Sequence, residues 1–228
     1  MSAEGWVFVD VDVQRDFCEP DGALSVPGSP NDTFRRLVEA AVTRQIPIVG
    51  SVDSHAYDAW EFASNDNRGP AGEDPRFPDH CVKGTEGWLK VDGTLPPRFR
   101  FVPDEAAADP GRVSRYAAEL ASGKAHGLYF EKEVYSVFAN PMAERVIATF
   151  AELRGGIDEL RFAVFGVATD YCVRAAVLGL RERGYRTVLV EDAIAGIDEG
   201  TTSAALDAMT EAGAERASVA SLIRGLGD

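Results

Sequence analysis

Short apolar, β-branched runs alternate along this chain with longer stretches whose apolar residues recur every three or four positions. That alternation predicts an α/β fold in which parallel strands are joined by crossover helices. Strands are expected at Trp6 to Asp12, Pro47 to Asp53, Gly127 to Phe130, Leu160 to Val167 and Tyr185 to Glu191, with a sixth at Arg216 to Ala220. Helices are expected over about 30 to 45, 111 to 121, 141 to 153, 170 to 183 and 200 to 212. Pro141 suits a first helical position, Thr169 an N-cap, and Gly184 and Gly213 helix stops. Phe62 to Pro110 breaks the pattern. Dense in Pro, Gly and Asp, it reads as a long irregular excursion of the kind that forms lids or binding loops.

Composition narrows the class without naming a chemistry. With 228 residues, 45% of them hydrophobic and 26% charged, the chain fits one domain over residues 1–228. No apolar run approaches the roughly 20 residues of a membrane span. Met1 to Gly5 lack a basic patch leading into an apolar stretch, so a soluble, cytoplasmic protein is expected. A formal charge of -14 excludes a phosphate-backbone partner and leaves small molecules. Three cysteines without framework spacing point to free thiols in a reducing compartment.

Four strand ends carry polar residues that packing does not require: Asp12, then Asp53 with His55, then Lys132, then Cys172. Ligands of open parallel sheets bind at the carboxyl ends of strands, so these groups are expected to converge. Singly each has a plainer explanation: Asp12 caps a turn, Lys132 sits on the surface, Cys172 fills the core as a small hydrophobe. Jointly an acid, a cation and a thiol are the set that nucleophilic catalysis needs. With Thr169 as N-cap, Cys172 falls near the start of a helix, where free backbone N–H groups favour a thiolate and hold a developing oxyanion. Cys18 and Cys81 lack this placement and are assigned to packing. Asp53, His55 and the distant His80 form a second cluster, whose carboxylate and imidazoles suit zinc, iron or manganese. His126, just before a strand, is assigned no role.

Three segments carry a family resemblance that spans nearly the whole chain. Asp12-Val13-Gln14-Arg15-Asp16-Phe17-Cys18, Phe77-Pro78-Asp79-His80-Cys81-Val82-Lys83-Gly84-Thr85-Glu86-Gly87 and Val167-Ala168-Thr169-Asp170-Tyr171-Cys172-Val173 resemble, in that order, the acid, metal-loop and nucleophile motifs of nicotinamidases among the isochorismatase-like cysteine hydrolases. The resemblance implies a three-layer αβα domain with a mostly parallel, doubly wound sheet, and Asp12, Lys132 and Cys172 as catalytic residues. It implies one divalent metal ion, zinc before iron or manganese, on Asp53, His55 and His80. It also implies a cis peptide between Val167 and Ala168, which turns the Ala168 N–H beside that of Cys172 as an oxyanion hole. Phe17, Trp88, Tyr135, Val167 and Tyr171 are then expected around the substrate. Two departures stand out. Ala59 occupies the place of a second histidine, with Glu61 nearby as an oxygen donor, and Lys132 leads to Tyr135 by an unusually short path.

The chemistry so implied is hydrolysis of nicotinamide through a thioester. Asp12 takes the thiol proton and later activates water, Lys132 lowers the thiol pKa, and the metal orients the substrate by its ring nitrogen. Alternatives are an amidase on another small amide or carbamoyl compound, an isochorismatase-type hydrolase, a non-catalytic metal-binding or interaction protein, and a thiol redox protein. The last lacks a resolving cysteine near Cys172. The partner is a small-molecule amide, and a homo-oligomer is left open.

Overall fold

A computed structural model describes residues 4–69, 71–72, 74–104 and 108–227. Met1–Ala3, at the start read as untargeted, and Pro70, Glu73 and Glu105–Ala107 within the 62–110 excursion, lie outside the described residues, as does Asp228.

The strands β1 (Trp6–Val11), β2 (Ile48–Asp53), β3 (Phe99–Val102), β4 (Gly127–Lys132), β5 (Arg161–Val167), β6 (Arg186–Ala195) and β7 (Glu215–Ala217) form one sheet in the order β3-β4-β2-β1-β5-β6-β7. Every pairing is parallel. Helices α1 (Arg15–Cys18), α2 (Asn31–Thr43), α3 (Pro110–Ala121), α4 (Ala143–Leu153), α5 (Arg174–Glu182), α6 (Glu199–Glu211) and α7 (Val219–Gly225) complete the described elements of this kind.

The central strands are buried on both faces, which is why they read as continuous apolar runs. Val7, Val9 and Val11 pack with Val113, Phe150 and Val177 of α3, α4 and α5. Phe8 and Ile48 face the other way, toward Phe34 and Leu37 of α2 and Leu222 of α7. Phe8 and Phe165 meet edge to face with centroids 6.2 Å apart. Each such buried phenyl ring contributes about 1.5–3 kcal/mol. From β1 the chain fills one half of the sheet with β2, β3 and β4, then crosses to build β5, β6 and β7 on the other side. The order therefore reverses between β1 and β5, and the crevice beyond their carboxyl ends is the natural ligand position.

Several helix ends follow the local chemistry. Asp109 Oδ1 accepts from the Arg112 N–H while Pro110 fills the first position of α3. Gly184 (φ +81°) and Gly213 (φ +86°) terminate α5 and α6. There Tyr185 N–H donates to Leu180 and Ala214 N–H to Met209 across the last turns.

Other expectations are corrected. Thr169 is not an N-cap: Ala168 holds that position, and the buried Thr169 hydroxyl has no hydrogen-bond partner among the described residues. A π-helical turn over Thr169–Val173, with Val173 N–H reaching back to the Ala168 carbonyl at 3.1 Å, precedes α5. Pro141 lies ahead of α4, which starts at Ala143 after Asn140 Oδ1 accepts from Met142 N–H. The strand expected at Arg216 to Ala220 stops at Ala217, because Ser218 Oγ caps α7 by accepting from Ser221 N–H. The 62–110 excursion hides β3, a four-residue edge strand too short to stand out from its surroundings.

Candidate active site and metal centre

β1 delivers Asp12 to the switch-point crevice. The strand ends there because Asp12 adopts φ +48°, and its carbonyl turns back to accept from the Gln14 N–H at 2.7 Å. β2 ends on Asp53 and β4 on Lys132, partners in the strand register. β5 runs into a cis Val167–Ala168 peptide and the π-helical turn that carries Cys172.

Lys132 is the centre of this group. Its fully buried Nζ lies 2.8 Å from Asp12 Oδ2 and 2.8 Å from Asp53 Oδ1, and it donates to Cys172 Sγ at 3.6 Å. Burial works against its charge, but Asp12, Asp53 and Cys172 outweigh that and carry its pKa well above the ordinary lysine value. It stays an ammonium.

The surroundings of the thiol outweigh the helix-start effect expected to favour a thiolate. Burial pushes Cys172 well above the usual thiol pKa, and although Lys132 pulls it down, Asp12 and Asp53 push it further up. These surroundings favour the neutral thiol at Cys172. Cys18 and Cys81 are buried within an apolar cluster, and the Cys18 thiol is raised to about 12 by its burial.

The second cluster adjoins the first through Asp53. His55 Nε2 lies 3.3 Å from Asp53 Oδ2 and 3.0 Å from Glu61 Oε1, and His80 Nε2 lies 3.6 and 3.4 Å from the same two oxygens. All four ligand atoms fall within 4.8 Å of one another and all four residues are buried. His80 Nδ1 donates to the Pro78 carbonyl at 2.8 Å, a contact that turns Nε2 toward the cluster. Burial lowers the His55 imidazole, but Asp53 and Glu61 outweigh it and raise its pKa to about 9. The site thus favours positive charge, and two carboxylate oxygens with two imidazole nitrogens suit a divalent cation of the zinc, iron or manganese kind.

A cleft lined by residues of both clusters connects them. Phe17, Tyr135 and Tyr171 line it together with Asp53, Glu61, His80, Ala168 and Cys172. Tyr135 and Tyr171 lean together with centroids 5.2 Å apart. Two expected wall residues are elsewhere. The Trp88 indole donates to Ser54 Oγ at 3.0 Å and packs on Phe101, while Val167 is fully buried in the core. Sequence reasoning missed Leu24, Val26, Phe77 and Ile197 on the cleft wall. Ile197 is held there by Asp170, whose carboxylate accepts from the N–H groups of Ile197 and Asp198 and from the Thr201 hydroxyl at 2.6 Å. Nothing in the order of residues links Asp170 to a loop beyond β6.

The isochorismatase domain family matches residues 7–221. The chain belongs to that family. A nicotinamidase/pyrazinamidase of Mycobacterium tuberculosis is 30% identical over 90% of this chain and 94% of its own length. A nicotinamidase of Escherichia coli K12 is 29% identical over 82% of each chain. The solved pyrazinamidase of Pyrococcus horikoshii in complex with zinc shares the fold with a TM-score of 0.66 at 24% identity, covering 94% of this chain and 99% of that one. The three-layer arrangement inferred from the motifs is thus that of isochorismatase-like proteins, and its sheet is wholly parallel. Among the described residues no helix is long and apolar enough to cross a membrane.

Proposed function

We propose that this isochorismatase-family protein is a cysteine amidohydrolase that converts nicotinamide and water to nicotinate and ammonia. The observation that carries the reading is the placement of one buried ammonium, Lys132, within 2.8 Å of Asp12 and Asp53 and 3.6 Å of the Cys172 thiol. Nicotinamidase relatives and a small cleft whose walls are aromatic support the substrate.

The resting charges set the order of steps. Asp12 takes the proton from the Cys172 thiol as sulfur attacks the carboxamide carbon, so no free thiolate accumulates in the dry site. The tetrahedral oxyanion is received by the main-chain N–H groups of Ala168 and Cys172. Asp12 passes its proton to the amide nitrogen, the C–N bond breaks, and ammonia leaves a thioester. A water deprotonated by Asp12 then attacks the thioester, the C–S bond breaks, and the thiol regains its proton as nicotinate departs. Lys132 remains charged throughout and keeps its contact with the Asp12 carboxyl. Asp53, His55, Glu61 and His80 would hold a divalent metal ion, which would supply a Lewis acid for a ring nitrogen of the substrate.

A second reading, an amidase for another small amide of this superfamily, draws on the short Lys132–Tyr135 path, which leaves Tyr135 42% exposed at the cleft wall. Ammonia release from a panel of small amides decides between them: nicotinamide as the best substrate supports the first reading, and an aliphatic or carbamoyl compound as the best substrate replaces it.

A further inference from the structure

From the hydrogen bonds around Asp53 we infer that Gln14 is a positioning residue: its side-chain amide serves as an extra rung of β1 and fixes the one carboxylate shared by Lys132 and the metal cluster. The inference rests on the proposed metal site, but not on which amide is hydrolysed.

The need for such a residue follows from the turn at Asp12. Along β2, the Asp53 N–H and C=O face β1, since the neighbouring Ser54 N–H faces β4 and donates to the Lys132 carbonyl. β1 pairs with β2 only as far as Val11 opposite Ser51, with Asp12 N–H closing on the Ser51 carbonyl at 3.2 Å. A continued ladder would offer Asp53 the Asp12 carbonyl. That carbonyl has turned away to the Gln14 N–H, which leaves the peptide groups of Asp53 without a strand beside them.

The Gln14 amide takes that place. Its Oε1 accepts from the Asp53 N–H at 2.7 Å, and its Nε2 donates to the Asp53 carbonyl at 2.8 Å, the two bonds that a parallel neighbour would supply. The second Nε2 proton goes to the Trp88 carbonyl at 2.9 Å. Gln14 is fully buried, and every donor of its amide is used.

Precision at this backbone matters because Asp53 serves two masters. Its Oδ1 is held at 2.8 Å from Lys132 Nζ while Oδ2 faces His55 at 3.3 Å and His80 at 3.6 Å. A main chain free to shift by an ångström would trade one contact against the other. Asparagine is a methylene too short to bridge both peptide groups. Glutamate accepts from the Asp53 N–H but opposes two carbonyl oxygens and adds charge beside Asp53.

The test uses the full-length protein stripped of metal and titrated with zinc in competition with a chromophoric chelator. Gln14→Met keeps volume and removes all three hydrogen bonds; Gln14→Asn keeps the amide but shortens it. Phe162→Leu, a cavity variant at the amino end of β5 beside Tyr185, supplies a destabilised control remote from the site. Zinc affinity is expected to fall about 10- to 100-fold in Gln14→Met and Gln14→Asn, the usual cost of losing a residue that orients a metal ligand. It should stay unchanged in Phe162→Leu at a comparable loss of melting temperature. Unchanged affinity in the Gln14 variants, or an equal loss in Phe162→Leu, overturns the inference. If the wild-type chain binds no zinc, the metal reading fails by itself, and kcat for the best amide then decides the role of Gln14: a kcat equal to wild type in Gln14→Met overturns it, and a fall of tenfold or more that Phe162→Leu does not share supports it.

Discussion

Asp53 and Lys132 stand opposite each other in the register of β2 and β4, and their side chains meet 2.8 Å apart beyond the last rung. Strand pairing therefore sets the distance between the proposed chemistry and the metal cluster. Desolvation opposes the charge on Asp53, but Lys132, His55 and His80 overcome it and hold the carboxyl well below the usual carboxylate range. One buried anion thus serves an ammonium on one oxygen and two imidazoles on the other. Opposite charges so close in a dry site interact strongly, and removal of either partner leaves the other uncompensated.

Replacement of the nucleophile tests the cysteine mechanism. Cys172→Ala should lose at least 1000-fold in turnover of any amide substrate while retaining its circular dichroism and melting transition, since only a small side chain is removed. Iodoacetamide should modify Cys172, which lines the cleft, before the core residues Cys18 and Cys81. Because the Cys172 thiol sits well above the ordinary value of 9.0, its alkylation rate should still be climbing above pH 9. A plateau below pH 8 would contradict a neutral resting thiol, and undiminished turnover by Cys172→Ala would end the mechanism.

Metal content tests the second cluster. One divalent ion per chain should be found after gentle purification, by elemental analysis. His80→Ala should lose it, and an Asp53→Ala, His55→Ala, His80→Ala triple variant that keeps a stoichiometric ion would refute the assignment. Glu61 supplies the oxygen that faces both histidines, so Glu61→Ala should weaken binding at least tenfold and Glu61→Gln by less. Equal affinity in all three Glu61 forms would leave the carboxylate outside the ligand set.

How much of this could be read from residues alone depends on how local the cause is. The central strands were legible because two-sided burial makes their apolar runs continuous, whereas β3, four residues long, was too short to stand out. Asp12, Asp53, Lys132 and Cys172 stood out as polar residues ending apolar strands, and their meeting follows from a parallel sheet. The pull of a helix start on the thiol was visible in sequence, but the burial and the carboxylates that outweigh it were not. Trp88 was misplaced for a similar reason: its loop is near the site, yet its indole turns to Ser54. Ile197 reaches the cleft through a bond to Asp170 across 27 residues, which no local pattern records.

His126, without a sequence role, makes a prediction about pH. Burial and the nearby Arg98 lower its pKa from the ordinary 6.5, so the folded chain holds its proton less tightly than the unfolded one. Folding stability from this residue is complete above pH 6.5 and is lost as pH falls through that value toward the folded pKa. His126→Gln should therefore lose less melting temperature than wild type between pH 7 and pH 5. Parallel curves for the two proteins would show that His126 does not titrate differently on folding.

Substrate preference is the sharpest test of the proposed reaction. Asp53, Glu61 and His80, which cluster with His55, line the cleft together with Cys172, so a bound ion and the proposed nucleophile would face the same small ligand. Nicotinamide offers a ring nitrogen to the first and a carboxamide to the second. Benzamide has the same shape and the same reacting group but nothing to give the ion. On metal-loaded protein kcat/KM for benzamide should be lower by at least tenfold, about 1.4 kcal/mol of transition-state positioning, with pyrazinamide close to nicotinamide. Stripping the metal should shrink that gap, because neither compound is then oriented through its ring. Equal kcat/KM for benzamide and nicotinamide on loaded protein, or a clear preference for an aliphatic amide, would assign the chain a different amide while leaving Asp12, Lys132 and Cys172 in their roles.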